Sequence, residues 1–245
     1  MDPSLRNAHD VVKDLALERR VLVLGGIAVI VHGLARATKD VDIWMEPGGD
    51  AAQWSSILRT FVERQDLTAA RVNGETGLFV SIGLSDIRAA VDEDDFVRLL
   101  GADRPIDVFR IPHNLQADDF DEVWQNGEPL EDGTRVPDEV DLILTKLHTG
   151  RAHDEADIRY LESKLEARYR QRLAECSLRE AGALLQRFST PDIAAFAAAA
   201  ATDPHVRELA EGYLKDMSLE GNAYATKLLE ELLARRRGNQ DRESF

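Results

Sequence analysis

Hydrophobic positions along the first half of the chain switch repeatedly between a helical period and the two-residue period of strands. Val11, Val12, Leu15 and Leu17 suit a short amphipathic helix, and the run "RVLVL" after it reads as a strand ending at Gly25-Gly26. "IAVIVHGLA" predicts a short buried helix closed near Gly33, and "DVDIWM" alternates as a strand stopped by Pro47-Gly48-Gly49. Asp50 is the expected N-cap of "AAQWSSILRTFVER", whose Trp54, Ile57, Leu58 and Phe61 form a helical stripe. "GLFVSIGLSDIRAAV" predicts one or two strands with glycine interruptions, "DEDDFVRLL" a short helix with an acidic cap, and "PIDVFRI" a strand over 105–111. "DDFDEVWQNG" reads as a helix ending at Gly127, and "TRVP" as a short extended piece.

From Asp138 onward the pattern is helical almost throughout, with Ser177 and Thr190 as expected caps and Pro191 in the first turn after the second of these. Strands are therefore expected only in the first 137 residues. The predicted fold class is α+β: a mixed sheet with flanking helices over 1–137, followed by a C-terminal helical domain over 138–245.

Composition narrows the function classes. The chain has 245 residues, a net charge of −15 and a single cysteine, Cys176, so no internal disulfide framework or Cys-x-x-Cys metal motif is expected. The acidic balance argues against a broad duplex-DNA surface, because such binding depends on many phosphate contacts. No apolar run is long enough for a transmembrane helix, and the charged N-terminus lacks the apolar stretch of a secretory leader, so no membrane partner and a cytoplasmic location are expected.

Chemistry concentrates in "LGGIAVIVHGLARATKDVDI", residues 24–43. On a strand Asp40 and Asp42 project to one side while Val41 and Ile43 project to the other. Two carboxylates so placed repel each other unless a cation or solvent separates them, and Mg²⁺ prefers such hard oxygen ligands together with substrate phosphates. Gly25 and Gly26 stand between a strand and a helix, where free N–H groups can meet a phosphate, although glycines also end strands for conformational reasons alone. Asp107 interrupts the apolar run of "PIDVFRI", a costly placement unless it is paired. If its strand lies beside "DVDI", three carboxylates converge as a two-metal site requires.

Gly25-Gly26, a thirteen-residue spacer, Asp40-Val41-Asp42-Ile43 and the later Ile106-Asp107-Val108 resemble the signature of the nucleotidyltransferase (DNA polymerase β-like) superfamily. "PDEVDLILTKLHTGRAHDEADIRYL" is similar to a segment that follows the core in small bacterial members, including toxin-like proteins of the abortive-infection group. The resemblance implies an ATP- or other NTP-dependent enzyme that moves a nucleoside monophosphate to a hydroxyl. It implies Mg²⁺ at Asp40, Asp42 and Asp107, with Asp107 helping to deprotonate the acceptor. By the same likeness Lys146 reaches the triphosphate and Asp154 and Asp157 organise the next helix. Arg36 and Thr38 touch phosphate or brace the aspartates, and Arg151 is a further phosphate candidate.

The acceptor it implies is an RNA 3′ end or a protein, with a role as the toxin of a toxin-antitoxin pair and a cognate antitoxin as partner. The alternatives are a small-molecule acceptor of the aminoglycoside type, or a non-catalytic nucleotide-binding scaffold. From the residues alone, Lys146 either snorkels from an apolar stripe or serves a site. His32, His113, His148 and His153 have no metal-ligand spacing and read as surface or helix-cap histidines. Trp44, Trp54 and Trp124 read as core.

Overall fold

The computed structural model describes residues 5–243, with side chains to residue 237, and divides between Leu161 and Glu162 into two compact units. In the first unit the elements run α1 (Ala8–Ala16), β1 (Val21–Val23), α2 (Gly25–Val31), β2 (Val41–Met45), α3 (Ala51–Arg64), β3 (Thr68–Val72) and β4 (Phe79–Ser81). They continue through α4 (Ile87–Asp94), β5 (Phe96–Leu100), β6 (Ile106–Phe109), α5 (Phe120–Asn126), β7 (Glu128–Pro129), β8 (Arg135–Val136), α6 (Glu139–Lys146) and the start of α7 (Ala152–Leu173). The second unit holds the rest of α7 with α8 (Leu178–Arg187), α9 (Pro191–Ala200), α10 (Pro204–Leu219) and α11 (Ala223–Glu243). The chain is thus mixed α+β, and every strand among the described residues ends by Val136.

The end of the strands does not coincide with the packing boundary. Residues 138–161 stay with the sheet unit: α6 packs on α2, and the Tyr160 hydroxyl donates to the carbonyl of His32 at 3.1 Å. His32 itself is buried and caps α2, with Nε2 2.8 Å from the Pro137 carbonyl, so it is not a surface residue.

The eight strands form one sheet in the order β4-β3-β5-β6-β2-β1-β8-β7. Parallel pairing of β2 with β6 sets Asp42 opposite Asp107, and antiparallel pairing of β6 with β5 sets Asp107 opposite Arg98. Because side chains alternate, these three residues share one face, and the intervening Ile43, Val108 and Val97 are fully buried on the other. Further along β2, Trp44 is fully buried among Leu22, Leu24, Leu115, Phe120 and Val123, and its indole N–H donates to the Arg110 carbonyl at 2.9 Å. Trp54 is also buried, and Trp124 packs at the margin of the Trp44 cluster.

Two expected elements are corrected. The stretch from Leu84 is helical, a 3₁₀ turn running into α4, and only Phe79–Ser81 is extended. The acidic run 92–95 ends a helix and does not begin one. Asp95 adopts a left-handed conformation (φ 57°) that stops α4, and Phe96–Leu100 is a strand. Carboxylates at a helix C-terminus oppose the helix dipole. Here the contacts of Arg88 with Asp92 (2.6 Å) and of Arg71 with Glu93 (2.7 Å) offset that repulsion.

In the second unit, Ser177 and Thr190 cap α8 and α9 through their hydroxyls, and Pro191 opens α9 as expected. The alanine-rich α9 buries Ile193, Ala194, Ala197 and Ala198, and its small side chains allow close approach to α10 and α11.

Candidate active site

The site is built from the bend between β1 and α2 outward. Gly25 takes φ +57°, and a Cβ added there would lie 1.8 Å from Oδ2 of Asp42. A Cβ on Gly26 would lie 2.8 Å from Oγ1 of Thr38 and 3.1 Å from a guanidinium nitrogen of Arg36. Both glycines are therefore required by space, and the first also by conformation. The Leu24 N–H donates to the Asp42 carbonyl at 2.8 Å, which fixes the height of the bend against β2.

Asp42 is part-buried and has no side-chain hydrogen bond or ion pair among the described residues. Burial, reinforced by the negative charges of Asp40 and Asp107, pushes its carboxyl from 3.8 up to about 7, while Lys146 and Arg98 pull weakly the other way. Asp40 lies two residues earlier with its carboxylate about one-third exposed (36%), and Thr38 Oγ1 donates to its backbone carbonyl at 3.2 Å. Thr38 thus braces this aspartate. Burial also raises Asp107, against the opposing pull of Arg98.

Asp107 is not free. Arg98 grips it in a fork, with Nε to Oδ1 and Nη2 to Oδ2 both at 2.6 Å, and Nη2 also lies 3.4 Å from Oδ2 of Asp40. The guanidinium carbon sits 3.7 Å from the centroid of the Phe79 ring, so cation–π contact holds it from its other side. Arg98 was absent from the sequence-based candidates because its segment read as a helix. Alternation in "FVRLL", with Val97 and Leu99 buried beside a half-buried Arg98, is the signal that could have found it.

Lys146 is buried, and its ammonium lies 3.1 Å from Asp154 and 2.9 Å from Asp157, both also buried. Arg36 pairs with Asp157 as well, and Thr149 donates to the second oxygen of Asp154 at 2.7 Å. Burial alone would raise Asp154; the Thr149 hydrogen bond and the Lys146 charge outweigh it and hold the carboxyl below its ordinary range. Lys146 therefore neither snorkels to solvent nor carries a free ammonium, and it reaches Asp42 only through its field. Asp154 lies in the first turn of α7. Arg151 is exposed and bears electrostatically on Asp107.

Of the expected residues, Gly25, Gly26, Arg36, Thr38, Asp40, Asp42 and Asp107 are gathered at this bend and sheet face. Lys146, Asp154 and Asp157 form an adjoining ion-pair network linked to it by Arg36. Among the described residues no group of three or more His, Cys, Asp and Glu side chains is placed to hold a metal ion. Arg98 contacts two of the three carboxylates expected to converge on metal, Asp107 and Asp40. Asp40 and Asp42 offer hard oxygen donors of the kind Mg²⁺ takes, with water and phosphate oxygens completing its shell.

No known family model matches the chain, and no curated protein matches it. Among solved structures, the "putative nucleotidyltransferase from H. pylori" aligns over 92% of this chain and 93% of its own at 14% identity, with a TM-score of 0.35. A likeness that slight supports no argument about fold or site. Among the described residues no helix is long and apolar enough to cross a membrane.

Proposed function

We propose that the protein is a Mg²⁺-dependent nucleotidyltransferase that moves a nucleoside monophosphate from an NTP to a hydroxyl. The observation that carries this reading is the unpartnered Asp42 carboxylate, set beside Asp40 and against a bend that two glycines keep clear of side chains. A buried carboxylate left without a partner is costly in the resting protein, and a bound cation is the partner that removes that cost.

In this reading Asp40 and Asp42 hold the ion, and the space beside Gly25 and Gly26 receives the triphosphate. When bound, Mg²⁺ neutralises phosphate charge and steadies the leaving pyrophosphate. The acceptor oxygen bonds to the α-phosphorus, the bond from that phosphorus to the α,β-bridging oxygen breaks, and Asp107 takes the acceptor proton. Burial suits Asp107 to that task by raising its carboxyl. Lys146 bears a positive field on Asp42 and so favours the ionised form that binds metal. The acceptor we propose is an RNA 3′ end or a protein hydroxyl.

The test is Mg²⁺-dependent pyrophosphate release from each NTP in turn, with a cell lysate supplying acceptors. Release with one NTP, lost in Asp42→Asn, supports the reading. One observation favours a second reading, a nucleotide-binding scaffold: the Arg98 fork engages both oxygens of Asp107. A scaffold would be stabilised by an NTP and would release no pyrophosphate.

A further inference from the structure

Resting on that reading, we propose that Arg98 stands where a second divalent cation would act, so that the site takes a single ion and Asp107 is not one of its ligands. Three contacts of Arg98 carry the inference: with Asp107 on β6, with Asp40 just before β2, and with Phe79 on β4. The guanidinium makes two 2.6 Å bonds to Asp107, leaving each carboxylate oxygen with a charged donor. Its Nη2 also lies 3.4 Å from Asp40, so one guanidinium nitrogen contacts both aspartates. The Phe79 ring at 3.7 Å closes the far side.

Arg98 is not a surface side chain that has fallen onto an acid. It is 17% exposed, it stands directly opposite Asp107 in the antiparallel register, and Phe79 sits across the sheet on β4 to receive it. A fixed planar fork matches a carboxylate in two places at once, and a cation that remains protonated in proteins cannot be titrated away. A divalent ion would have to displace a resident positive charge to reach Asp107, whereas among the described residues no cation is paired with Asp42. Arg98 is in these terms a positioning residue. It aims Asp107 toward the acceptor and supplies there the positive charge that a second metal would otherwise bring.

The test counts Mn²⁺ bound to the full chain by electron paramagnetic resonance of the free ion, scoring only sites that Asp42→Asn abolishes. One ion in the wild type and two in Arg98→Met is the expected result. Two in the wild type, or one in both proteins, overturns the role of Arg98 while leaving the single-site metal reading intact. No such ion in the wild type overturns the proposed function itself and this inference with it.

Asp107→Asn provides a second route should Arg98→Met fail to fold. The single ion is expected to stay bound in that variant. Loss of the ion in that variant would make Asp107 a ligand and overturn the inference.

Discussion

Asp42 predicts an unusual trade between stability and function. Its carboxyl is raised from 3.8 to about 7, so the folded chain holds that proton more tightly than the unfolded chain does. A raised carboxyl contributes stability while it stays protonated, and that stability is lost as pH climbs from about 4 through about 7. At about 1.4 kcal/mol per pH unit the full span amounts to about 4 kcal/mol. Relaxation and water entry in a part-buried site reduce this, and about 2 kcal/mol is the working value.

Asparagine imitates the protonated form and cannot ionise. In metal-free buffer Asp42→Asn should therefore melt close to wild type at pH 4.5 and well above it at pH 8. For a chain of this size the gap is roughly 4–8 °C at about 2–4 °C per kcal/mol. The assay is a pair of thermal melts across that pH range in the presence of chelator. Subtracting the two profiles removes every other titrating group that the substitution leaves unchanged. A difference that does not vary with pH, or an asparagine variant less stable at pH 8, would refute the claim that Asp42 is buried without a partner.

Other perturbations separate the parts of the site. Lys146→Met leaves Asp154 and Asp157 without their shared cation, and, with Arg36 and Thr149 still in place, should destabilise the protein by about 2–4 kcal/mol in urea unfolding. Gly25→Ala combines a left-handed residue, worth about 1–2 kcal/mol, with a Cβ on top of the Asp42 carboxylate. It should lower the melting temperature and abolish Mg²⁺-dependent stabilisation by NTP in the same thermal assay. Tyr160→Phe removes the hydroxyl bonded to the His32 carbonyl and should cost about 1 kcal/mol in urea unfolding, with pyrophosphate release retained.

The glycine bend and the strand that carries Asp42 could be read in the sequence because the relevant forces are local. A period of two puts Asp42 on the side opposite Val41 and Ile43, with Asp40 just before the strand, and consecutive glycines between a strand and a helix mark a place where side chains are excluded. The caps Asp50, Ser177 and Thr190 were legible for the same reason. The stretch 92–100 was misread because an acidic run ordinarily starts a helix, and here Arg88 and Arg71 neutralise it at a helix end. That error hid Arg98, whose meaning lies in the register between β5 and β6, a non-local fact. The burial of Lys146 depends in the same way on Asp157, which comes into reach only after the chain turns from α6 into α7.

Nucleotidyl transfer itself is tested most directly with a pair of labels. The protein and its Asp42→Asn variant are incubated with Mg²⁺ and a lysate, once with each NTP labelled at the α-phosphorus and once with the label at the γ-phosphorus. Label from the α position on an RNA or protein band, with wild type only and with none from the γ position, is the predicted result. Label from the γ position would make the reaction phosphoryl transfer. No label from either position, with every NTP, would contradict the assignment of Asp40, Asp42 and the glycine bend to nucleotide chemistry.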